Sequence, residues 1–166
     1  MDIKSLNSPV TRPVTSSETI LIRAANNDDL PLIAIMTWEI LVVTGRTDGY
    51  QFEKMLQGVR HMFAKSDQCR YLVALSGTRM VGQLKLTKQF NDLYCAEEGF
   101  VEHVFIHPEF RGQRIYDRMH QRALQMCGEW NLRRMALHVV GTNTQAKRAY
   151  EKQGMWATGF WMTQET

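Results

Sequence analysis

Residues 102–116, EHVFIHPEFRGQRIY, constrain the fold of this chain more than any other segment, because they predict a buried strand that runs directly into a helix. The β-branched and aromatic residues at 104–106 favour a strand. Pro108 ends it, since proline cannot donate a hydrogen bond to a sheet. After the turn at Arg111 and Gly112, apolar residues recur at intervals of three and four, which is typical of a helix. The turn therefore predicts a helix N-terminus.

A helix that begins at this turn offers a place for an anion. The backbone amides of a first helical turn have no partners within the helix, and the helix dipole is positive at that end. Arg111 and Arg114 would add charge-assisted hydrogen bonds to a phosphate. An ordinary strand-to-helix turn with solvated arginines explains the same residues, so this motif alone leaves both interpretations open.

A second strand-to-helix segment follows. Residues 134–140 are another apolar-leaning run that ends in a Gly-Thr pair before Asn143, and asparagine is a preferred residue at a helix N-terminus. The helix predicted there ends at Gly154, because glycine suits helix C-termini. Asn143 and Tyr150 lie two turns apart, so they share one face of this helix.

The strand, the Arg-Gly loop, the helix and the later spacing Asn-x-x-Ala-x-x-x-Tyr-x-x-x-Gly resemble the core of the GNAT superfamily of acyl-CoA-dependent N-acetyltransferases. The resemblance covers residues 100–160 closely and the other residues in layout. It implies an α/β (α+β) fold with a mixed, mostly antiparallel central sheet flanked by helices. In this fold two central strands, here near residues 101–107 and 134–140, splay apart.

The resemblance also implies acetyl-CoA (coenzyme A) as co-substrate, without a metal. The superfamily loop reads Arg/Gln-x-x-Gly-x-Gly/Ala, whereas Arg114 and Tyr116 stand here where the two later small residues usually stand. Glycine lets the backbone approach a pyrophosphate closely, so this departure bears on cofactor binding. The implied cofactor-binding residues are Val104, Phe105, Ile106, Arg111, Gly112, Gln113, Arg114, Ile115, Tyr116, Asn143 and Tyr150.

Acetyl transfer to an amine needs a group that takes up a proton, because a protonated amine has no lone pair for the attack. Glu102 is the first candidate, since strand alternation places it on the face of Val104 and Ile106, among apolar neighbours. A glutamate at the matching place is the proposed base in polyamine-type members of the superfamily. A solvated or arginine-paired Glu102 is equally open. His138, on the second strand, is the second candidate, and His103 is discounted because alternation turns it to the opposite face.

Tyr150 is the candidate acid. In the superfamily a tyrosine at this place protonates or hydrogen-bonds the departing thiolate of coenzyme A. A packing tyrosine near the end of a helix is the alternative. The resemblance further implies that backbone amides near residues 104–106 stabilise the oxyanion, and that Asn143 orients the pantetheine arm, caps its helix, or does both.

Composition limits the remaining function classes. The net charge of +3 suits a polyanionic cofactor and is too small to argue for a nucleic-acid partner. The three cysteines, Cys69, Cys95 and Cys127, have no Cys-x-x-Cys spacing, which argues against a disulfide framework or a zinc site and for a reducing, cytoplasmic location. No apolar run approaches the roughly 20 residues that span a bilayer, so no membrane association is expected.

The remaining segments complete the predicted layout. Residues 1–18 read as an irregular N-terminal arm, and residues 19–166 as a single N-acetyltransferase-like domain. A strand at 19–25 precedes two amphipathic helices that end near residues 43 and 63, separated by a break at 45–49. Strands at 70–75 and 79–86 follow. Residues 87–99 interrupt the pattern, as a solvated hairpin loop or as an acidic and aromatic segment that receives a cationic amine.

The predicted function is N-acetylation of a primary amine of a small molecule or peptide, by direct transfer from acetyl-CoA in a ternary complex. No cysteine lies at a plausible nucleophile position, which disfavours a covalent acetyl-enzyme. The alternative is a non-catalytic acyl-CoA-binding or regulatory module with the same fold. The sequence does not identify the acceptor, and it is compatible with a homodimer.

Overall fold

A computed structural model of the chain describes residues 19–159. The predicted N-terminal arm, residues 1–18, and the C-terminal residues 160–166 lie outside the described residues. The predicted limits of the domain therefore stay predictions at both ends.

One five-stranded sheet forms the centre of the molecule, with strands in the order β1-β2-β3-β4-β5. The strands β1 to β4 each pair antiparallel with the next, and β5 lies parallel to β4. The predicted mixed, mostly antiparallel sheet is thus confirmed. The strands are β1 (Ile20–Ala24), β2 (Cys69–Ser76), β3 (Arg79–Asn91), β4 (Ala96–Ile106) and β5 (Met135–Leu137).

Among the described residues, α1 (Leu30–Thr44) and α2 (Phe52–Phe63) pack on one face of this sheet, α3 (Ile115–Glu129) packs on the other, and α4 (Thr144–Glu151) follows β5. Alternate side chains of the strands build two apolar cores. The α3-side core contains Leu72, Leu84 and Met119, and the α1/α2-side core contains Ile33 and Val73. The predicted arrangement of helices on both faces is confirmed.

A capped turn at Asn27–Asp29 precedes α1, and α1 ends at the predicted break. Asn26 and Asp29 form a capping box, in which the amide of Asn26 donates to the Asp29 carboxylate over 2.7 Å. Gly45 ends α1 with a φ of +66°. In that left-handed conformation its amide bonds back to carbonyl oxygens of the last turn, which satisfies groups that the helix itself leaves open.

The hairpin interpretation of residues 87–99 is confirmed, but the strands run further into this segment than the predicted interruption allowed. β3 continues to Asn91 and β4 begins at Ala96, so these residues form a long hairpin. Its acidic and aromatic side chains contact cations of the chain itself. Arg134 lies 3.4 Å from the Glu98 carboxylate and 4.0 Å from the centre of the Tyr94 ring. The interpretation that this segment receives an amine therefore loses its support.

β5 is shorter than predicted, because only Met135–Leu137 of the predicted 134–140 strand pairs with β4. Its partners are residues 99–101 of β4. Beyond Val101 the strand β4 continues to Ile106 without a β5 partner, which confirms that the two strands part. Within residues 19–159, β5 is the last strand of the sheet.

Candidate active site

A β-bulge interrupts β4 directly after the last residue that pairs with β5. Lys85 lies opposite Glu102, but Gln83 lies opposite Phe105. Two residues of β4, His103 and Val104, therefore face a single residue of β3. Such bulges bend the strand that carries them, which gives a physical reason for the divergence of β4 from β5 at this point.

The bulge also breaks the alternation on which the placement of Glu102 depended. Val101, Val104 and Ile106 all contact the α3-side core, whereas Phe105 lies in the α1/α2-side core. Glu102 follows Val101 and so lies on the opposite face from Val104 and Ile106. The prediction that Glu102 shares a face with these two residues is wrong, because one extra residue reverses the side of every residue after it.

The neighbours of Glu102 are polar rather than apolar, which corrects the second part of that prediction. Lys85 Nζ donates to Glu102 Oε2 over 2.6 Å, and Thr87 Oγ1 donates to Oε1 over 3.2 Å. The Lys85 side chain is only 11% exposed, so its ammonium group has given up most of its contact with water. Each oxygen of the carboxylate therefore already accepts one hydrogen bond from the chain.

His103, which alternation had turned away from Glu102, lies in the bulge with a φ of +48°. Its imidazole interacts electrostatically with both Lys85 and Glu102. Burial of the ring lowers the pKa of His103, the positive charge of Lys85 lowers it further, and Glu102 offsets part of the effect. The residue as a whole nevertheless keeps an exposed surface that solvent can reach.

The end of β4 presents an open edge. No residue of β4 after Val101 pairs with β5 within residues 19–159. On its other side this part of β4 keeps its partners on β3, and the amide of His107 donates to the Val81 carbonyl over 2.9 Å. Apart from the Ile106 carbonyl, which accepts a hydrogen bond from Arg111 Nε, backbone groups along the open edge are thus available to a ligand that lies between the parted strands.

The loop between β4 and α3 presents a second set of open backbone groups. Gly112 has a φ of +78° and Arg114 a φ of +57°, and α3 begins at Ile115 rather than near Gly112 as predicted. Within the described part of the chain, no backbone hydrogen bond uses the amides of residues 112–117. Arg111 Nε donates to the Ile106 carbonyl, and Arg114 Nε donates to Asp117 Oδ2. The open amides and the two guanidinium groups together form a site suited to an anion.

An aromatic cluster joins the start of α3 to the end of α4. The Tyr116 and Tyr150 rings meet edge to face, with centroids 5.3 Å apart, and Tyr116 Oη lies 3.0 Å from His120 Nδ1. Burial raises the pKa of Tyr150, and it lowers the pKa of His120, which is 2% exposed. Sequence reasoning missed His120, although its spacing of four from Tyr116 was the signal that could have found it.

Two further candidates occupy the end of the β5 region. Asn143 Oδ1 accepts a hydrogen bond from the Ala146 amide over 3.0 Å, so the predicted helix cap is confirmed. His138 lies one residue beyond the end of β5, on an exposed surface, rather than within a strand. The structure brings Glu102 and His103 together, and Tyr116 with Tyr150.

Comparison with known proteins decides which family this geometry belongs to. Residues 35–155 match the model of the family described as "Acetyltransferase (GNAT) family". The chain belongs to the GNAT acetyltransferase family. Membership supports acetyl transfer as the general activity and acetyl-CoA as the donor.

One curated relative of this GNAT chain is named "Putative ribosomal protein bS18-alanine N-acetyltransferase", from Bacillus subtilis (strain 168). The two are 32% identical over 67 residues, which are 37% of this chain and 44% of the relative. The match therefore spans less than half of that relative's length.

Solved structures share the fold of this GNAT domain. A possible acetyltransferase from Clostridium difficile 630 aligns with a TM-score of 0.74 at 23% identity, over 90% of this chain and 98% of the other. A predicted acetyltransferase with acetyl-CoA from Clostridium acetobutylicum aligns with a TM-score of 0.76 at 15% identity, over 89% and 96%. At these identities the similarity shows a common fold.

The two unusual loop residues of this GNAT chain have different structural settings. Arg114 replaces a small residue at a position with a φ of +57°, where glycine would be relaxed and arginine is strained. Its side chain is 84% exposed and leaves the amides accessible. Tyr116 replaces the last small residue, and its ring packs against Tyr150 and His120. Neither side chain bonds to the loop amides.

Among residues 19–159 the structure shows no helix long and apolar enough to cross a membrane. In the same range it shows no group of three or more His, Cys, Asp or Glu side chains arranged to hold a metal ion.

Proposed function

We propose that this chain transfers the acetyl group of acetyl-CoA to a primary amine of a small molecule or peptide, by direct attack within a ternary complex. The observation that carries the proposal is the open amide array at residues 112–117, next to the unpaired edge of β4. Residues 107–111 connect these two features, so one long cofactor could contact both, with its diphosphate at the amides and its thioester at the strand edge.

The residues of the connection divide the work of binding. The amides of residues 112–117 and the guanidinium groups of Arg111 and Arg114 are positioned for the diphosphate. The open edge of β4 at residues 104–106 would accept hydrogen bonds from the pantetheine arm and stabilise the oxyanion. Asn143 and Tyr150 would close the other side. The full proposed set is Val104, Phe105, Ile106, Arg111, Gly112, Gln113, Arg114, Ile115, Tyr116, Asn143 and Tyr150.

Tyr150 is the proposed acid. Because burial raises the pKa of Tyr150, its phenol keeps its proton at neutral pH and can donate it to a departing thiolate. The Tyr116 ring fixes the place of the Tyr150 ring, with which it shares an edge-to-face contact. This contact links the acid to the first turn of α3, where the cofactor would lie.

The acceptor amine would lose its proton at the bulge of β4. Of the two predicted bases, Glu102 lies in the bulge region and faces the α1/α2 side of the sheet, beside the open edge. His138 lies beyond β5, in a loop. The ion pair of Glu102 with Lys85 places charge next to the proposed reaction centre, which supports this location over His138.

Direct transfer is favoured over a covalent acetyl-enzyme by the state of the cysteines. All three are free. Burial raises the pKa of Cys69 and of Cys127 to about 11, so both thiols stay protonated at neutral pH and are poor nucleophiles. Cys95 lies in the hairpin turn, at the far end of β4 from the bulge. Free thiols also support the proposed cytoplasmic location.

The test is thiol release from acetyl-CoA with a panel of amines, including polyamines, amino acids and a peptide with an N-terminal alanine. The peptide is included because of the activity named for the Bacillus relative. Calorimetry on the same preparation measures acetyl-CoA binding. No detectable heat on addition of acetyl-CoA, or the absence of amine-dependent thiol release across the panel, would count against the proposal.

A matched pair of variants tests the acid. Tyr150→Phe should lower kcat about 10²-fold or more, with acetyl-CoA affinity unchanged, because it removes a proton donor and keeps the ring. Tyr94→Phe, in the exposed hairpin turn, makes the same chemical change away from the site and should leave kcat unchanged. Equal activity of the Tyr150 variant and the wild type would exclude this acid.

The second candidate function is a non-catalytic acyl-CoA binder. Arg114 and Tyr116 favour it, since bulky residues replace the two small ones of the superfamily loop. This candidate predicts that acetyl-CoA binds and that no amine in the panel accelerates thiol release. The same experiment therefore separates the two functions.

A further inference from the structure

The bulge of β4 contains a histidine next to the Lys85–Glu102 pair. His103 lies next to Glu102 in sequence, interacts electrostatically with both members of the Lys85–Glu102 pair, and keeps an exposed surface. It also adjoins the first residues of the open edge of β4. A histidine residue with exposed surface, a fixed ion pair and an unpaired strand edge thus lie within a few residues of one another.

We propose that His103 is a catalytic residue of this chain, which removes the proton from the acceptor amine at the bulge of β4, beside the Lys85–Glu102 pair. This inference rests on the proposed acetyl transfer. It assigns the step of proton removal to a residue that strand periodicity had turned away from the site.

The contacts of Glu102 are the first support. Its Oε2 accepts from Lys85 Nζ over 2.6 Å, and its Oε1 accepts from Thr87. If Glu102 took up a proton, the Lys85 ammonium would lose its charge partner in a place where its side chain is only 11% exposed. Unpaired charges in such surroundings are strongly unfavourable. The charge of Glu102 is therefore committed to Lys85.

The state of His103 is the second support. Burial and the nearby Lys85 charge lower the pKa of His103, and Glu102 compensates only in part. The imidazole is consequently neutral at pH 7 and has a free lone pair. A neutral imidazole can accept a proton without leaving another buried charge unpaired.

The backbone of His103 is the third support. Its φ of +48° lies in the left-handed region, where a side chain other than glycine costs roughly 1–2 kcal/mol. The chain has a histidine at a position where glycine or asparagine would be less strained. Local strain of this kind is characteristic of active sites, where the position of a side chain matters more than the stability it costs.

The proposed step balances as follows. The amine nitrogen forms a bond to the acetyl carbon as the carbon–sulfur bond breaks, and the sulfur leaves with its electron pair. Tyr150 gives its proton to the sulfur. An unprotonated ring nitrogen of His103 takes the proton from the amine nitrogen. Exchange with solvent then returns a proton to Tyr150 and removes one from His103, which restores both groups.

The left-handed backbone supplies a well-matched variant. Asparagine adopts such a conformation more readily than most residues, so His103→Asn should fold at least as stably as the wild type. We expect kcat/KM to fall about 10²-fold or more, with acetyl-CoA affinity unchanged. His61→Asn, in the exposed last turn of α2, is the control and should behave as the wild type.

The pH dependence tests proton removal itself. In the wild type, kcat/KM should fall as the pH decreases through the lowered pKa of His103, since only the neutral imidazole accepts a proton. This fall should be absent in His103→Asn, while the ionisation of the acceptor amine affects both proteins equally. Lys85 and Glu102 are the charged groups that act on the ring, so the variants Lys85→Met and Glu102→Gln should change the pH at which the wild-type fall occurs.

Chemical rescue gives a second readout. Glycine also suits the left-handed backbone. Added imidazole should raise the activity of His103→Gly at least tenfold, whereas it should not change the activity of the wild type. An NMR titration of His103 reports its protonation without any turnover, and it should place the midpoint below the ordinary value for histidine.

Several results would overturn the inference. Activity of His103→Asn within threefold of the wild type over the whole pH range, or rescue that fails in a folded, acetyl-CoA-binding His103→Gly, would exclude this base. If the fall of kcat/KM at low pH were absent in Glu102→Gln but present in His103→Asn, proton removal would belong to Glu102. A wild type that binds acetyl-CoA and acetylates no amine would instead overturn the proposed function, and this inference with it.

Discussion

The packing of β4 on α3 gives a quantitative prediction, because Gly99 lies where the two elements touch. Gly99 pairs with Met135 at the start of the contact between β4 and β5. A Cβ added there would lie 2.6 Å from Cys127 Sγ on α3 and 3.3 Å from Leu86 Cδ1. Real Cβ atoms essentially never approach another heavy atom as closely as the first distance, so Gly99→Ala forces α3 or β4 to move.

The magnitude follows from the surroundings. Cys127 and Leu86 are both buried, so neither can swing into solvent. Overpacking of such a site costs about 1–3 kcal/mol, and we expect Gly99→Ala to lower the free energy of unfolding by about 2 kcal/mol. Cys127→Ala alone should cost about 1 kcal/mol, since it removes one buried atom and leaves a small cavity.

The double variant isolates the contact. Removing Sγ makes room for the new methyl group, so Gly99→Ala with Cys127→Ala should be less destabilised than the sum of the single changes, by about 1–2 kcal/mol. Urea unfolding of the four proteins measures this coupling, provided that the dependence on urea concentration stays constant. Leu86 at 3.3 Å should prevent complete recovery.

Additive effects would refute this reasoning. They would show that the added methyl group and the Cys127 sulfur do not compete for space, and that α3 does not lie against β4 as described. The open edge of β4 begins three residues later, at Glu102, so its position relative to α3 would then be wrong as well.

Two further predictions concern acetyl-CoA binding at the loop between β4 and α3 and the free energy of unfolding at low pH. Gly112→Ala should weaken acetyl-CoA binding at least tenfold, because the φ of +78° at this position disfavours alanine. The control Gly128→Ala within α3 should leave binding unchanged and stabilise the protein by about 0.5–1 kcal/mol. Calorimetry measures the binding, and urea unfolding measures the stability. Burial raises the pKa of Asp29, but the hydrogen bonds from Arg23 and the Asn26 amide and the charge of Arg23 together lower it by more, so the net pKa lies below the ordinary value. Stability from this group is therefore present above about pH 4 and lost as the pH falls through the lowered pKa, and the cost of Asp29→Asn, about 1–2 kcal/mol at pH 7, should disappear in acid. A pH-independent cost would contradict this.

Local signals were sufficient for much of the framework. The strand, the Arg-Gly turn and the following helix were readable because proline, glycine and apolar periodicity act over a few residues. The same holds for the cap at Asn143, which needs only an acceptor side chain next to open amides. Together with the resemblance they carry, these signals led to the correct fold class and family.

The active-site details depend on contacts between segments far apart in sequence. The bulge at His103 exists only as a mismatch between β3 and β4, so no local pattern within residues 102–106 predicts it. The pairing of Lys85 with Glu102 and the meeting of Tyr116 with Tyr150 arise in the same way. Strand alternation assumes a regular ladder, and one extra residue reverses every side chain after it. The sequence by itself therefore determined which elements form and which family they belong to, whereas tertiary pairing alone decided which side chains face the site.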